Sequence, residues 1–362
     1  MTASEAVAPS GDLRTPLDVS ALGARIRLTF AHDLDDTTVA AIRSSWEGAA
    51  LPYDETAEPD DHVPVAADLE PEALAESLTV RVTLAALGQR SGELLLFHAC
   101  GVADPAGRVA AFVGPSGRGK TTLSRALGAQ HGYISDETIA ADPELAVHPY
   151  RKPLSVVRPG RPKQQVSPDS AGLRPVPDAP LRLAALVLIS RDAEHPAPSI
   201  EQVAFPEAIA ELAPQMSYLA ELPRPLQTLA TVCDRIGGVV RLTYPDASTV
   251  PPIVPELLDH ARVHEEWEPA TVHGENPAFD LSPVSDAIRC DDRVVVLAHR
   301  WVHVLDGIAP VIWDALRAGS GLEEIVDDVV AAFGRPASGD PRALVVAAID
   351  QLVESGIINR TS

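Results

Sequence analysis

The chain has 362 residues, of which 46% are hydrophobic and 22% charged, the balance of a globular protein of about two domains. Its formal net charge of −22 argues against binding to nucleic acid or to an anionic membrane. No apolar run reaches the roughly 18 residues of a membrane span, and the N-terminus does not have the pattern of a signal peptide. The three cysteines form neither a disulfide nor a zinc pattern, so the composition predicts a cytoplasmic protein.

Residues 1–90 are acidic and predict an N-terminal α+β region. Apolar alternation over residues 24–30 predicts a strand, and helical spacing predicts a helix over 71–89. The acidic stretch 52–64 begins and ends with proline and predicts a surface loop.

Residues 91–264 predict a mixed α/β domain. The pattern favours strands over 93–102, 108–113, 183–190 and 239–244, and helices over 121–128, 207–212 and 225–235. Residues 153–180 contain seven prolines and predict a long loop, with a local strip of basic residues in and beside it.

A glycine-rich segment between a predicted strand and a predicted helix matches the Walker A pattern G-x-x-x-x-G-K-[ST]. Glycines in such a loop let backbone N–H groups surround the phosphates of ATP or GTP. Lys120 would reach the β- and γ-phosphates, and the Thr121 hydroxyl would bind Mg²⁺. The segment predicts an ATP site formed by Gly114, Ser116, Gly117, Arg118, Gly119, Lys120, Thr121 and Thr122.

Lysine is rare in this chain. Only Lys120, Lys152 and Lys163 are lysines among the 29 basic residues, so arginine has replaced lysine almost everywhere. A flexible point charge is what a phosphate site can require, which supports a functional role for Lys120. An ABC transporter ATPase is disfavoured, since no LSGGQ-type segment and no apolar run ending in Asp-Glu is found.

The region around this loop resembles the HPr kinase/phosphorylase-like P-loop serine kinases. The resemblance covers most of residues 75–250 and depends on the segments LLFHACGV around His98, GPSGRGKTT at the loop, and GYISDE ending in Asp136 and Glu137. The glycine- and arginine-bearing signature of the bifunctional HPr enzymes is not recognisable, so the resemblance is to the broader serine-kinase branch.

The resemblance implies an α/β P-loop kinase core of the HPr kinase/PEP carboxykinase type. Asp136 or Glu137 would then hold the attacking hydroxyl as base, Asp136 would help to bind Mg²⁺, and His98 would support the carboxylate. From the residues alone, the acidic pair could also belong to a solvated turn or to the N-cap of a helix over 138–141, although a functional role is favoured. His98 is equally compatible with a core position. Arg151 or Lys152, in a lysine-proline segment, would neutralise phosphate charge or belong to an ordinary basic loop.

Residues 265–283 have no periodicity and predict a linker, after which 284–362 predict short strands followed by three helices. This is a winged-helix-like α+β arrangement, but its 12 acids against 7 arginines argue against DNA binding. The module resembles the PqqD-like fold, or RiPP recognition element. The resemblance depends on CDDRVVVL from Cys290, VHVLD from Val302, APVIWDAL from Ala309, LEEI from Leu322 and LVESGII ending at Ile358.

That resemblance implies a domain that holds the leader of a ribosomally made precursor peptide. A leader would add as a strand to an exposed sheet edge. The predicted peptide contacts are Trp301, Val302, His303, Val304, Leu305, Val345 and Ile349, although for any one of them alone a core position is the favoured interpretation.

The combined hypothesis is an ATP- and Mg²⁺-dependent kinase of a Ser or Thr hydroxyl in that peptide, with other peptide-tailoring enzymes as further expected partners. Two alternatives stay open. One is a nucleotide-gated protein that binds and delivers a peptide without kinase activity, and the other is a kinase of a free amino acid or other small hydroxyl compound.

Overall fold

The N-terminal unit is a four-stranded sheet covered by helices. The computed structural model describes residues 13–361 apart from 116, 118, 159 and 261–265. The first elements are β1 (Leu17–Ala21), β2 (Ala24–Phe30), α1 (Asp36–Ser45), β3 (Ala50–Leu51), β4 (Asp61–Val65) and α2 (Pro71–Gln89). The strand order is β3-β1-β2-β4, with β2 and β4 parallel. The predicted strand and helix are confirmed, whereas the predicted loop over 52–64 ends inside β4 because alternate residues of this segment are buried against the sheet.

The middle unit follows in the order β5 (Leu95–Phe97), β6 (Ala99–Ala103), β7 (Arg108–Val113), α3 (Lys120–Gly128), β8 (Gly132–Ser135), β9 (Ile139–Ala141), β10 (Val147–His148), β11 (Leu154–Arg158), β12 (Arg161–Val166), β13 (Arg182–Arg191), β14 (Ser199–Val203), α4 (Phe205–Leu212), β15 (Met216–Ser217), α5 (Pro225–Ile236), β16 (Val239–Tyr244) and α6 (Val254–Leu258). A six-stranded sheet with the order β14-β16-β13-β7-β6-β8 is its centre. Strands β16, β13 and β7 are parallel.

The central strand β13 is apolar along its length because helices cover both faces of the sheet. Val187 on one face belongs to an apolar cluster with Leu123 and Leu127 of α3. Leu186 on the other face belongs to a cluster with residues of α4 and α5. The loop after β7 therefore lies at the carboxyl edge of the parallel strands, where ligands bind in open α/β sheets.

Two predictions in this unit are wrong. The single strand predicted over 93–102 is broken at His98, and its halves β5 and β6 belong to different sheets. The predicted long loop over 153–180 contains the antiparallel hairpin β11–β12, which packs on α2. Proline is tolerated there because both strands of a two-stranded hairpin are edge strands. Backbone N–H groups on the outer side of an edge strand have no hydrogen-bond partner in the sheet, so proline loses no hydrogen bond there.

The C-terminal unit is a sheet covered on one side by three helices. Its elements are β17 (Glu268–Pro269), β18 (Phe279–Asp280), β19 (Val284–Cys290), β20 (Arg293–Ala298), β21 (Trp301–Leu305), α7 (Ala309–Arg317), α8 (Leu322–Phe333), α9 (Pro341–Glu354) and β22 (Asn359–Arg360). The order β17-β19-β20-β21 places β21 at an edge. The predicted linker covers 265–283, and its described part from residue 266 runs along this unit, because β17 pairs with β19 and β18 pairs with β22.

Candidate functional site

The described part of the turn between β7 and α3 depends on glycines. Gly117 and Gly119 have φ angles of +80° and +86°, which side chains rarely adopt. A Cβ atom on Gly114 would lie 2.7 Å from a side-chain carbon of Ile189. Helix α3 begins directly after Gly119, so its first N–H groups and its positive dipole end face the loop. Ser116 and Arg118, both predicted nucleotide contacts, lie outside the described residues.

The Lys120 side chain folds back over this loop. Its ammonium donates hydrogen bonds to the carbonyl oxygens of Gly114, at 2.5 Å, and Pro115, at 3.1 Å. Burial lowers the Lys120 pKa from its ordinary value, although the charge of Glu137 opposes this. A buried ammonium whose hydrogen bonds go to neutral carbonyls is ready to exchange them for anionic phosphate oxygens, which bind it more strongly.

The acidic pair follows β8 and is fixed by a local turn. The Ser135 hydroxyl accepts hydrogen bonds from the backbone N–H groups of Glu137 and Thr138, each at 3.2 Å. The helix considered over 138–141 is not formed, because Ile139 begins β9 instead. Asp136 and Glu137 therefore stand at the end of β8, and they line the same cleft as Lys120.

Lys152 bridges the two carboxylates. Its Nζ lies 3.1 Å from Asp136 Oδ1 and 3.2 Å from Glu137 Oε2. The side chains of Lys152 and Asp136 are 4% and 5% exposed, whereas that of Glu137 is 40% exposed. Burial lowers the Lys152 pKa, but the two carboxylates outweigh it and the pKa is raised. Of the two acids, Glu137 is the one that is open to a ligand in the cleft.

Arg151 has a different role from Lys152. One of its nitrogens donates to the carbonyl oxygens of Tyr133, at 2.9 Å, and Arg174, at 3.0 Å, and another pairs with Asp169 at 2.6 Å. Arg151 is not among the residues that line the cleft. It therefore holds β8 and the following loops together, and the lysine-proline segment contributes Lys152 to the site.

His98 lies at the break between β5 and β6 and also lines the cleft. Its backbone N–H donates to the backbone carbonyl oxygen of Gln215 at 2.6 Å. The next backbone N–H, that of Ala99, donates to the backbone carbonyl oxygen of Glu137 at 3.1 Å. Burial and then the charge of Lys120 lower the His98 pKa, while Glu137 partly opposes this. The imidazole is therefore neutral at pH 7, next to the acidic pair and half-buried.

These groups surround one cleft of about 690 Å³. Its polar wall includes Lys120, Thr121, Thr122 and the acidic pair, and its apolar wall is the exposed face of α2 with Val80 and Leu84. Lys152 and Lys163 line it as well, so all three lysines of the chain meet here. Lys163 and the α2 wall were not predicted as parts of a site, although the rarity of lysine was a usable signal for Lys163. Lys163 is paired with Glu76 of α2 at 3.1 Å.

The residues present fit a magnesium–nucleotide complex. Mg²⁺ prefers oxygen ligands and is usually held by one or two carboxylates together with substrate phosphates. The Thr121 hydroxyl and the Asp136 carboxylate, the predicted metal ligands, line the same cleft. Among the described residues, no group of three or more His, Cys, Asp or Glu side chains is placed to hold a metal. A metal here would therefore depend on the phosphates for further ligands.

The predicted peptide contacts divide into three groups in the structure. Trp301 on the edge strand β21 is 61% exposed. Val302 and Val304 face the other way and pack against the core of the middle unit. Three predicted contacts are buried in the core of the C-terminal unit and do not form an open surface: Leu305, Val345 and Ile349.

His303 is half-buried on the same strand face as Trp301. Its Nε2 is buried and has no hydrogen-bond partner among the described residues, and burial lowers the His303 pKa. The surface that β21 offers is thus its main-chain edge together with Trp301. Two more exposed apolar residues of this unit lie on its helices, Phe333 at the end of α8 and Leu344 in α9.

A comparison with protein families assigns this C-terminal unit. The family model described as coenzyme PQQ synthesis protein D (PqqD) matches residues 293–358. The C-terminal domain is PqqD-like. The match begins at β20 and includes β21 and the three helices, so the exposed edge belongs to the PqqD-like domain.

A search of curated proteins finds no match to the chain. Within the described part of the protein, none of the helices has the length and apolar character to cross a membrane.

Proposed function

We propose that this protein is an ATP-dependent kinase of a Ser or Thr hydroxyl in a ribosomally synthesised precursor peptide. The observation that carries the proposal is that one cleft collects the phosphate-loop lysine, the acidic pair and His98. These groups come from three separate segments of the chain, and phosphoryl transfer needs this combination of charge neutralisation and a carboxylate that orients the hydroxyl.

The chemistry follows from the exposure of each group. Lys120 exchanges its carbonyl partners for phosphate oxygens. Thr121 and Asp136 would hold Mg²⁺, which would neutralise charge on the phosphates. Glu137 accepts the proton of the acceptor hydroxyl, because it is the exposed member of the acidic pair. The hydroxyl oxygen forms a bond to the γ-phosphorus as the bond to the β-phosphate oxygen breaks, and ADP leaves. Lys152 pairs with both carboxylates and so holds them in place at the cleft.

The PqqD-like domain supplies the peptide. A leader segment pairs as an additional strand with the edge of β21, where main-chain hydrogen bonds give affinity. Trp301 covers part of the added strand, since it is the large exposed apolar residue on that edge. An acceptor next to the leader then enters the cleft along the apolar wall of α2.

The test is transfer from γ-labelled ATP to the peptide encoded by a short open reading frame beside the gene. The proposal expects labelled peptide with the wild type and none with Lys120→Ala, while both bind the peptide equally. Undiminished transfer by Lys120→Ala would contradict it. Labelling of free serine or threonine in preference to the peptide would favour the small-molecule kinase, and ATP hydrolysis without any phosphorylated product would favour the nucleotide-gated binding protein.

A further inference from the structure

The PqqD-like domain is docked on the middle unit through one face of its sheet. Alternate residues of β19 and β20 are fully or almost fully buried in the same apolar cluster as α4 and α5: Ile288, Cys290, Val295 and Leu297. The opposite face of the same strands packs under α7, α8 and α9. The sheet is thus buried on both faces, and loss of the contact with α4 and α5 would expose an apolar surface to water.

Polar contacts fix the orientation of this interface. Asp286 of β19 is buried and caps the N-terminus of α5. Its carboxylate accepts from the backbone N–H groups of Leu226, at 2.8 Å, and Gln227, at 3.2 Å, and from the Gln227 amide at 2.8 Å. Arg293 of β20 pairs with Glu207 of α4. A carboxylate at a helix N-terminus is directional, so these contacts allow one orientation of the two units.

A short segment connects the edge strand to the cleft. Cα atoms of β21 and of residues 213–215 lie within 8 Å of each other. Two residues later Ser217, in β15, lines the cleft. Since consecutive Cα atoms are about 3.8 Å apart, some residue of β21 lies within about 23 Å of Ser217, and its far end within about 37 Å.

We propose that this docking makes the distance between the leader-binding edge and the cleft a fixed span, so that the protein selects the acceptor hydroxyl by its distance along the peptide from the leader strand. The inference rests on the proposed function. At about 3.4 Å per extended residue, a spacer of about seven residues covers the shorter distance and about eleven covers the longer. A domain on a flexible tether would instead accept a broad range of spacers.

The span itself can be measured without any substrate. The three native cysteines are buried, so Trp301→Cys and Ser217→Cys direct spin labels to the edge and to the cleft. Electron–electron dipolar spectroscopy on the full chain is expected to give one narrow distance distribution below about 45 Å, label arms included. A broad distribution would overturn the proposal.

Selection by distance is tested with tethered peptides. Maleimide peptides with one Ser between two Leu residues, and Gly/Ala spacers of about 3 to about 20 residues, are attached to Trp301→Cys. Transfer from γ-labelled ATP is expected to pass through a maximum at one spacer length, at least about fivefold above the longest spacer. Equal transfer at all lengths would overturn the fixed span and leave the kinase standing, whereas no transfer at any length would contradict the proposed function itself.

A docking variant links the two measurements. Asp286→Ala combined with Glu207→Arg removes the helix cap and places like charges at Arg293. We expect this variant to broaden the distance distribution and to flatten the spacer dependence. Asp280→Ala, an exposed position on the same domain, is the matched control and keeps both wild-type profiles. An unchanged profile in the docking variant, with the domain shown to be released, would overturn the inference.

Discussion

The cleft and the β21 edge are built for different kinds of recognition. The cleft depends on side-chain charge, because three lysines and three carboxylates line it, the carboxylates being the acidic pair and Glu76 of α2. The edge offers main-chain groups and one exposed tryptophan, and most of its neighbouring apolar residues are already buried. Single side chains are therefore expected to dominate function in the cleft, whereas at the edge backbone geometry carries most of the affinity.

The sharpest way to test this contrast is Lys120→Ala. Loss of the ammonium removes charge stabilisation from the transferred phosphate, and we expect transfer to fall at least about a thousandfold. Peptide affinity, measured by fluorescence anisotropy, is expected to stay unchanged because β21 belongs to another domain. A parallel loss of peptide binding would contradict the separation of the two sites.

The next largest effect is expected for Lys152→Met. This substitution leaves Asp136 buried without its cation and is expected to lower the free energy of unfolding by about 3 kcal/mol. The Lys152 pKa is raised above its ordinary 10.5, so the stabilisation is complete below that value and is lost as the pH rises through the folded-state pKa. Urea titrations should therefore show a constant difference between wild type and variant from pH 6 to about pH 10 and a smaller one above. A difference that grows at high pH would contradict this assignment.

His98→Gln tests the neutral imidazole beside the acidic pair. We expect transfer to fall about thirtyfold with little change in stability, since the residue orients groups in the cleft. The His98 pKa is lowered from 6.5, so the folded protein favours the neutral imidazole. The contribution of the neutral imidazole to the transfer rate is then lost as the pH falls below 6.5. The wild-type rate should show this acidic limb and the variant should lack it. Identical pH–rate profiles would remove His98 from the site.

At the edge, Trp301→Ala is expected to weaken peptide binding about tenfold, because one exposed aromatic side chain is lost while the main-chain hydrogen bonds remain. Isothermal titration calorimetry measures the change, and nucleotide affinity serves as the internal control. Unaltered peptide affinity would place the leader elsewhere on the domain.

The smallest effect is expected for the stability of Lys163→Ala. Its ion pair with Glu76 is half-exposed, so the free energy of unfolding should change by no more than about 0.5 kcal/mol. A larger loss in thermal denaturation would show that the hairpin β11–β12 depends on this pair for its packing on α2.

Features that depend on neighbouring residues in the chain could be predicted from the amino-acid sequence. Examples are the glycines of the loop between β7 and α3, the apolar run of β13 and the periodicity of α7 to α9. Each pattern predicts its element because it reflects the local backbone conformation or the side of the element that is buried. Tertiary structure decided which of these segments meet. The break at His98, the bridge from Lys152 to both carboxylates, and the exposed wall of α2 depend on contacts between residues far apart in the chain. So does the docking of the PqqD-like domain, since a buried apolar residue in the sequence does not specify which neighbour covers it.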